Sequence, residues 1–189
     1  MTDVYDYYQQ HQQTYRHIQN KLDQLRERLL DADRPVQKSV LFHADMYSLI
    51  SANTRVEAHE GGYIDALTAG SRDEYQQALQ ANDVLYYNNK ADYIDHNLGA
   101  VDYDSQLERL QAGNLDAVHR QKIDNVLGLG TLKSAFSLAM CGFDEKMCID
   151  ANVARYFDLD TDEDVYERLY DRLRCEEPQL AAGTGGFNL

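Results

Sequence analysis

Apolar residues recur at the three- and four-residue spacing of helices along most of the chain, and strand-like alternation is essentially absent. The pattern predicts helices near 3–31, 37–51, 56–68, 72–80, 88–98, 104–111, 115–126, 131–141, 151–157 and 162–174. Only two prolines, Pro35 and Pro178, interrupt it. Ser71 before "RDEY", Asp104 or Ser105 before "QLERL", and Thr161 with Asp164 three later are the expected N-caps. Gly99, Gly113, Gly128 and Gly142 punctuate the expected helix ends. The final stretch, "CEEPQLAAGTGGFNL", reads as a frayed or loosely docked tail. The expected fold class is all-α, with short connections and no linker.

At 189 residues the chain is long enough for one sizeable domain or two small lobes sharing a core. It has no run of about 18 apolar residues, so no transmembrane helix is expected. The start, "MTDVYDYYQQHQQTYRH", lacks a secretory pattern. Cys141, Cys148 and Cys175 form neither a paired set nor a metal-type cluster. A cytoplasmic protein with free thiols is the resulting expectation.

A formal charge of −14 argues at first against nucleic acid, whose binding is largely cation-driven. The make-up points elsewhere: 22 aspartates against 10 glutamates, and 6 lysines beside 12 arginines. Such a surface suits a halophilic protein, because concentrated salt screens its self-repulsion. An ordinary acidic protein is the other reading. The charge is also uneven: residues 119–155 hold five basic side chains (Arg120, Lys122, Lys133, Lys146, Arg155) against four acidic ones, whereas both flanks are strongly acidic. A polyanionic ligand therefore stays compatible with that segment.

The same segment carries the candidate chemistry. "IDNVLGLGTLKSAFSLAM" reads as a helix end, a glycine-rich turn over Gly128, Leu129 and Gly130, and a helix starting near Thr131. Glycines let a ligand approach the backbone, and amides at a helix N-terminus favour an anion. Turn chemistry alone would use the same residues. Further on, Asp150 sits among Met147, Cys148, Ile149, Val153 and Ala154. A carboxylate in such a phrase is an N-cap, a functional group held in a cleft, or both.

The order helix, G-x-G hairpin, helix, apolar-flanked aspartate, helix resembles the helix-hairpin-helix DNA glycosylase superfamily. "YYNNKADYIDHNLGA" (86–100) and "LISANTRVEAHEGGYIDAL" (49–67) are similar to that family's upstream helices, so the resemblance covers roughly residues 36–160. It implies a two-lobed helical fold with the active-site cleft between a lobe of residues 36–135 and one combining 1–35 with 136–189. Gly128, Leu129, Gly130 and Thr131 would hold a DNA phosphate, with a monovalent cation on loop carbonyls. Asp150 matches the catalytic aspartate, which stabilises the charge developing on the sugar or orients a nucleophile. Asn152 matches the supporting asparagine of "Asp-x-Asn" in adenine glycosylases, and Asn53 falls where some members insert a glutamine into the gap left by a flipped base. Extrusion is needed because the reacting atoms are inaccessible within the stack.

Lys133 bears on the mechanism. The resemblance gives bifunctional members a lysine nucleophile two residues beyond the second glycine, but that position is Leu132 here and Lys133 lies one further. One residue is about 100° of helix rotation, enough to turn an amine away. Lys133 is therefore either a Schiff-base nucleophile or a phosphate-contacting surface lysine in a monofunctional enzyme that uses water. Tyr47 stands near the adenine glycosylases' catalytic glutamate and argues against their mechanism. Only Cys175 lies where relatives carry four cluster cysteines, so no iron–sulfur cluster is expected. His43, His59, His96 and His119 lack metal-site spacing, and no metal site is expected. The implied function is a DNA glycosylase that flips a damaged or modified base in duplex DNA and cleaves its N-glycosidic bond, acting as a monomer with no membrane partner. Base hypermodification within the same superfamily, a non-catalytic DNA-binding module and an acidic interaction protein are the rivals.

Overall fold

The computed structural model describes residues 4–146, and these form eight α-helices and no strand. They are α1 (Val4–Asp31), α2 (Arg34–Ser51), α3 (Val56–Ala66), α4 (Arg72–Ala81), α5 (Tyr87–Ala100), α6 (Tyr103–Gln111), α7 (Leu115–Asn125) and α8 (Thr131–Met140). None of them is long and apolar enough to cross a membrane. The described residues divide into two compact units, one of residues 32–137 and one combining residues 4–31 with 138–146.

Local chemistry explains most boundaries. Ser71 caps α4 by accepting from the Glu74 amide, as its position predicts. α6 corrects the expectation at its start: Asp102 is the cap, accepting from the Ser105 amide at 3.0 Å, and Asp104 lies inside the first turn. Asp104 instead takes Arg34 and Lys38, each at 2.8 Å, so its carboxylate is spent on α2. α2 begins at Arg34 rather than near 37 because Pro35 occupies its first turn, where a fixed φ fits and no N–H is required. Gly99 does not end a helix; α5 runs on to Ala100 before Val101 turns extended. Gly113, Gly128 and Gly142 do mark ends, all at positive φ.

In the larger unit, Leu41, Met46, Ile50, Leu79, Val84, Ile94, Leu107 and Val118 are fully buried and make one core under α2, α4, α5, α6 and α7. Gly62 lets α3 close on it, for a Cβ there would lie 2.6 Å from Val84 Cγ2. In the other unit, Leu22 and Leu29 of α1 are buried, as are Leu138, Ala139, Cys141 and Phe143 at and beyond the end of α8. Gly142 sits against α1, where a Cβ would come within 2.3 Å of the Leu22 carbonyl. Arg26 fixes that turn by donating to Gly142 O at 3.0 Å and stacking over Phe143 at 4.6 Å.

Candidate active site

Helix α2 ends in four residues whose carbonyls must be satisfied without further helix. Ala52 N donates back to Leu49 O, and Thr54 N to Ser51 O. Ser51 Oγ donates to Ser48 O at 2.8 Å. The remaining acceptors go to Lys90 of α5, which is 5% exposed. Its Nζ reaches Ile50 O at 2.9 Å, Ala52 O at 2.7 Å and Thr54 Oγ1 at 2.8 Å, using all three ammonium protons. The clamp holds a loop in which Asn53 adopts a left-handed φ of 54° and faces solvent. Asparagine tolerates that region better than most side chains.

Lys133, in the first turn of α8, meets the same helix end. Its Nζ donates to Ser51 Oγ at 2.8 Å and lies 5.3 Å from the Phe136 ring centroid. The amine is thus turned onto α2 despite its one-residue displacement along α8. Tyr47 continues the wall beside Phe136, packing on His59 at 4.0 Å and Tyr63 at 5.1 Å. Burial, then the Lys133 charge, hold the His59 imidazole down at about 4, so it is neutral near pH 7. Its Nε2 has no hydrogen-bond partner among the described residues. Burial and then repulsion from Lys133 bring Lys90 down to about 8.

The hairpin is anchored from two sides. Asn97 of α5 brackets Leu127, and Gly128, at φ 84°, is pressed so close that a Cβ would lie 2.5 Å from Leu49 and 2.6 Å from Tyr93. Leu129 is buried as the hairpin's apolar anchor. Both hairpin glycines are exposed, but Gly130 differs from Gly128 in that nothing lies within 4 Å of where its Cβ would stand. Its carbonyl accepts the Ser134 amide and so opens α8, while Thr131 O pairs with His119 at 3.0 Å.

Beneath these elements Asp45 and Lys122 form a pair closed off from solvent, 2.6 Å apart. Ser137 Oγ at 2.5 Å and Tyr103 Oη at 3.1 Å complete the Asp45 carboxylate. This cluster ties α2, α6, α7 and α8 together. Elsewhere on the unit, a groove of about 360 Å³ is lined by Lys38, Phe42, His43, Met46 and Tyr75 among others. Neither Lys90 nor Lys133 borders it.

Of the residues singled out by sequence, the structure brings Lys133 to the loop that carries Asn53, and places Gly128, Leu129, Gly130 and Thr131 in the turn just before Lys133. Asp150 and Asn152 lie outside the described residues, as do Cys148 and Cys175. Among the described residues no group of three or more histidines, cysteines and acids is placed to hold a metal. Sequence reasoning gave no role to Lys90, Asn97, Ser51, Asp45 or Lys122. A signal existed for the first two: Lys90, Ile94 and Asn97 share one helical face, and polar residues on an apolar stripe need partners. It also passed over Tyr86, which is 66% exposed and held at a φ of 58°, an uncommon conformation for a bulky side chain.

No protein-family model matches the chain, and no curated protein matches it in sequence. Its structure is similar to the crystal structure of Methanocaldococcus jannaschii 8-oxoguanine DNA glycosylase, with a TM-score of 0.65 at 16% identity over 93% of this chain and 92% of that one. At that identity the likeness is one of fold: this chain has an all-helical fold similar to that of a DNA glycosylase.

Proposed function

We propose that the protein is a DNA glycosylase that extrudes a damaged or modified base from duplex DNA and breaks its N-glycosidic bond, with Lys133 as nucleophile. The observation that carries this reading is the Lys133 amine, held at α2 directly after a G-x-G hairpin in a fold similar to a glycosylase's. Gly128 is needed by the fold, whereas Gly130 leaves open space at the turn. That space suits a phosphate reaching the backbone amides at the start of α8. A monovalent cation on the hairpin carbonyls is compatible with the turn. Val126 O and Leu127 O each accept one internal hydrogen bond and retain a second lone pair.

Asn53 and Tyr86 are the side chains we assign to the base stack. Both are exposed on left-handed backbone, and Lys90 links them: its amide donates to Tyr86 O while its Nζ grips the residues around Asn53. An aromatic ring and an amide on rigid turns can occupy the space left by a flipped base. The Nζ lone pair then bonds to C1′ as the C1′–N bond breaks, its electron pair leaving with the base. The surplus amine proton passes to the departing base. Opening of the sugar ring gives a Schiff base, from which the strand can be cleaved. Asp150 stabilises the positive charge on the sugar and Asn152 supports it; both assignments come from the resemblance of their segment. Binding as a monomer with few cations at the hairpin relies on amides and stacking more than on net charge.

The test is borohydride trapping and alkali cleavage on duplexes carrying 8-oxoguanine, uracil, thymine glycol, an alkylated base or an abasic site, in molar and low potassium chloride. A covalent adduct lost in Lys133→Ala supports the lysine mechanism. Cleavage only after alkali, without an adduct and abolished by Asp150→Asn, replaces the lysine by water in a monofunctional glycosylase. Neither signal on any substrate overturns excision and leaves base modification or simple DNA binding.

A further inference from the structure

We propose that Ser48 of α2 and Ser134 of α8 hold an internal water molecule, which together with the Asp45 carboxylate bridges the two helices midway between their direct contacts. Two contacts set the register. Ser137 Oγ meets Asp45 Oδ1 at 2.5 Å, and Lys133 Nζ meets Ser51 Oγ at 2.8 Å. Passing up α2 from Asp45 to Ser51 therefore passes down α8 from Ser137 to Lys133, and the helices run antiparallel. Ser48 stands one turn from Asp45 and one turn from Ser51, about 4.5 Å along the axis from each. Ser134 stands one turn before Ser137 on the same side of α8. The register thus sets Ser48 and Ser134 toward each other.

Both serines are 0% exposed, and neither hydroxyl has a hydrogen-bond partner among the described residues. They do not bond to each other, although helix packing turns them to the same seam. A buried hydroxyl left without a partner is costly, so the fold gains by filling the space between them. Asp45, itself 1% exposed, offers a further contact. Its Oδ1 takes Lys122 and Ser137, whereas its Oδ2 takes only Tyr103 among the described residues and keeps a lone pair.

The chemistry of these groups selects water. Each hydroxyl can donate or accept, and the carboxylate requires a donor. The Lys122 ammonium, 2.6 Å from Asp45, already supplies the countercharge, so a bound cation would set a second positive charge beside it. A neutral molecule of one heavy atom with two donors and two acceptors meets all three groups, and about three partners is usual for a buried water. The bridge ties α2 to the first turns of α8, the helix that carries Lys133, whether or not the protein cuts DNA.

The direct experiment is a crystal structure of the intact protein at a resolution that shows ordered solvent. A water within hydrogen-bond distance of both Ser48 Oγ and Ser134 Oγ is expected. A direct Oγ–Oγ hydrogen bond, or a dry seam, overturns the proposal. In solution, water-oxygen relaxation dispersion counts long-lived internal waters. The double variant Ser48→Ala with Ser134→Ala should hold one fewer than the wild type, and an unchanged count overturns the site.

Melting curves give an independent sign. Removing a hydroxyl that truly lacks a partner relieves a buried polar group and raises the midpoint; removing one that is bonded through water lowers it. Ser39→Ala, at an exposed position of α2, supplies the helix-propensity baseline. Ser48→Ala and Ser134→Ala should each melt below that baseline, and a midpoint at or above it overturns the proposal. Should the double variant fail to fold, the single variants and the wild-type crystal structure still decide.

Discussion

Asn97 and Leu127 exchange two hydrogen bonds, Leu127 N to Asn97 Oδ1 at 2.9 Å and Asn97 Nδ2 to Leu127 O at 3.0 Å. A side-chain amide thereby does what a neighbouring strand would do for the hairpin backbone, and it holds the turn to α5. Asn97→Ala leaves both Leu127 groups without that partner, at a cost of about 1–3 kcal/mol. Asn97→Asp keeps the acceptor but sets a carboxylate oxygen against Leu127 O, and should be at least as damaging. Thermal melts order the variants. Amide hydrogen exchange should show the loss concentrated at residues 126–131.

Gly128 and Gly130 should respond oppositely to alanine. At Gly128 a methyl meets Leu49 and Tyr93 on left-handed backbone, so Gly128→Ala loses stability by about 1 kcal/mol or more. At Gly130 the methyl enters open space, and Gly130→Ala should leave the melting midpoint nearly unchanged. Under the glycosylase reading it nevertheless weakens binding to a short duplex, because the methyl occupies the approach to the α8 amides. Fluorescence anisotropy with a labelled duplex, beside a melting curve, separates the two effects. Equal affinity for wild type and Gly130→Ala would remove the hairpin from the DNA contact.

The buried pair Asp45 and Lys122 should be worth far more when broken singly than when replaced together. Lys122→Met abandons a carboxylate that is 1% exposed, at a cost of about 3–5 kcal/mol. Asp45→Asn strands the ammonium instead and should cost a comparable amount. The double variant Asp45→Asn with Lys122→Met removes both charges and should recover a large part of the loss. Urea denaturation of the three proteins closes the cycle; strictly additive losses would show that the pair is not coupled.

Two buried titrating groups work against each other in acid. His59 is pushed down from 6.5 to about 4, so between those values the unfolded chain binds more protons and stability falls as pH falls. Asp144, 1% exposed, is pushed up from 3.8 to about 6, chiefly by burial. There the folded chain binds more protons, so stability falls as pH rises through that window. The wild type should therefore change little between pH 4 and 6 on account of these two. Asp144→Asn removes the second slope, raising stability above pH 6 by about 1–3 kcal/mol and exposing a steady decline toward acid. His59→Gln should do the reverse. Melting midpoints at pH 4.5, 5.5 and 7.5 check both signs.

What could be read along the chain was whatever a few neighbouring residues decide. The helical period, the Ser71 cap, the positive-φ glycines at 113, 128 and 142, and the glycine hairpin leading into α8 depend on groups within about four positions of one another. The all-α class follows from them. Even locally, two boundaries moved: Asp104 is engaged by the distant Arg34 and Lys38 and Asp102 is the cap, and α5 carries through Gly99.

The α2 end was decided by tertiary structure alone. That Lys90 and Asn97 are polar residues on an apolar stripe is visible in sequence, but their acceptors lie 30 to 40 positions away in the chain. Lys133 and Ser51 are 82 apart, and Asp45 and Lys122 are 77 apart. Helical periodicity fixes which face a side chain takes. Which donor meets which acceptor depends on how the helices pack, and on the requirement that every buried polar group find a partner there. For that reason the one-residue displacement of Lys133 left its direction open in the sequence, and only the packing of α8 against α2 brought its amine to Ser51.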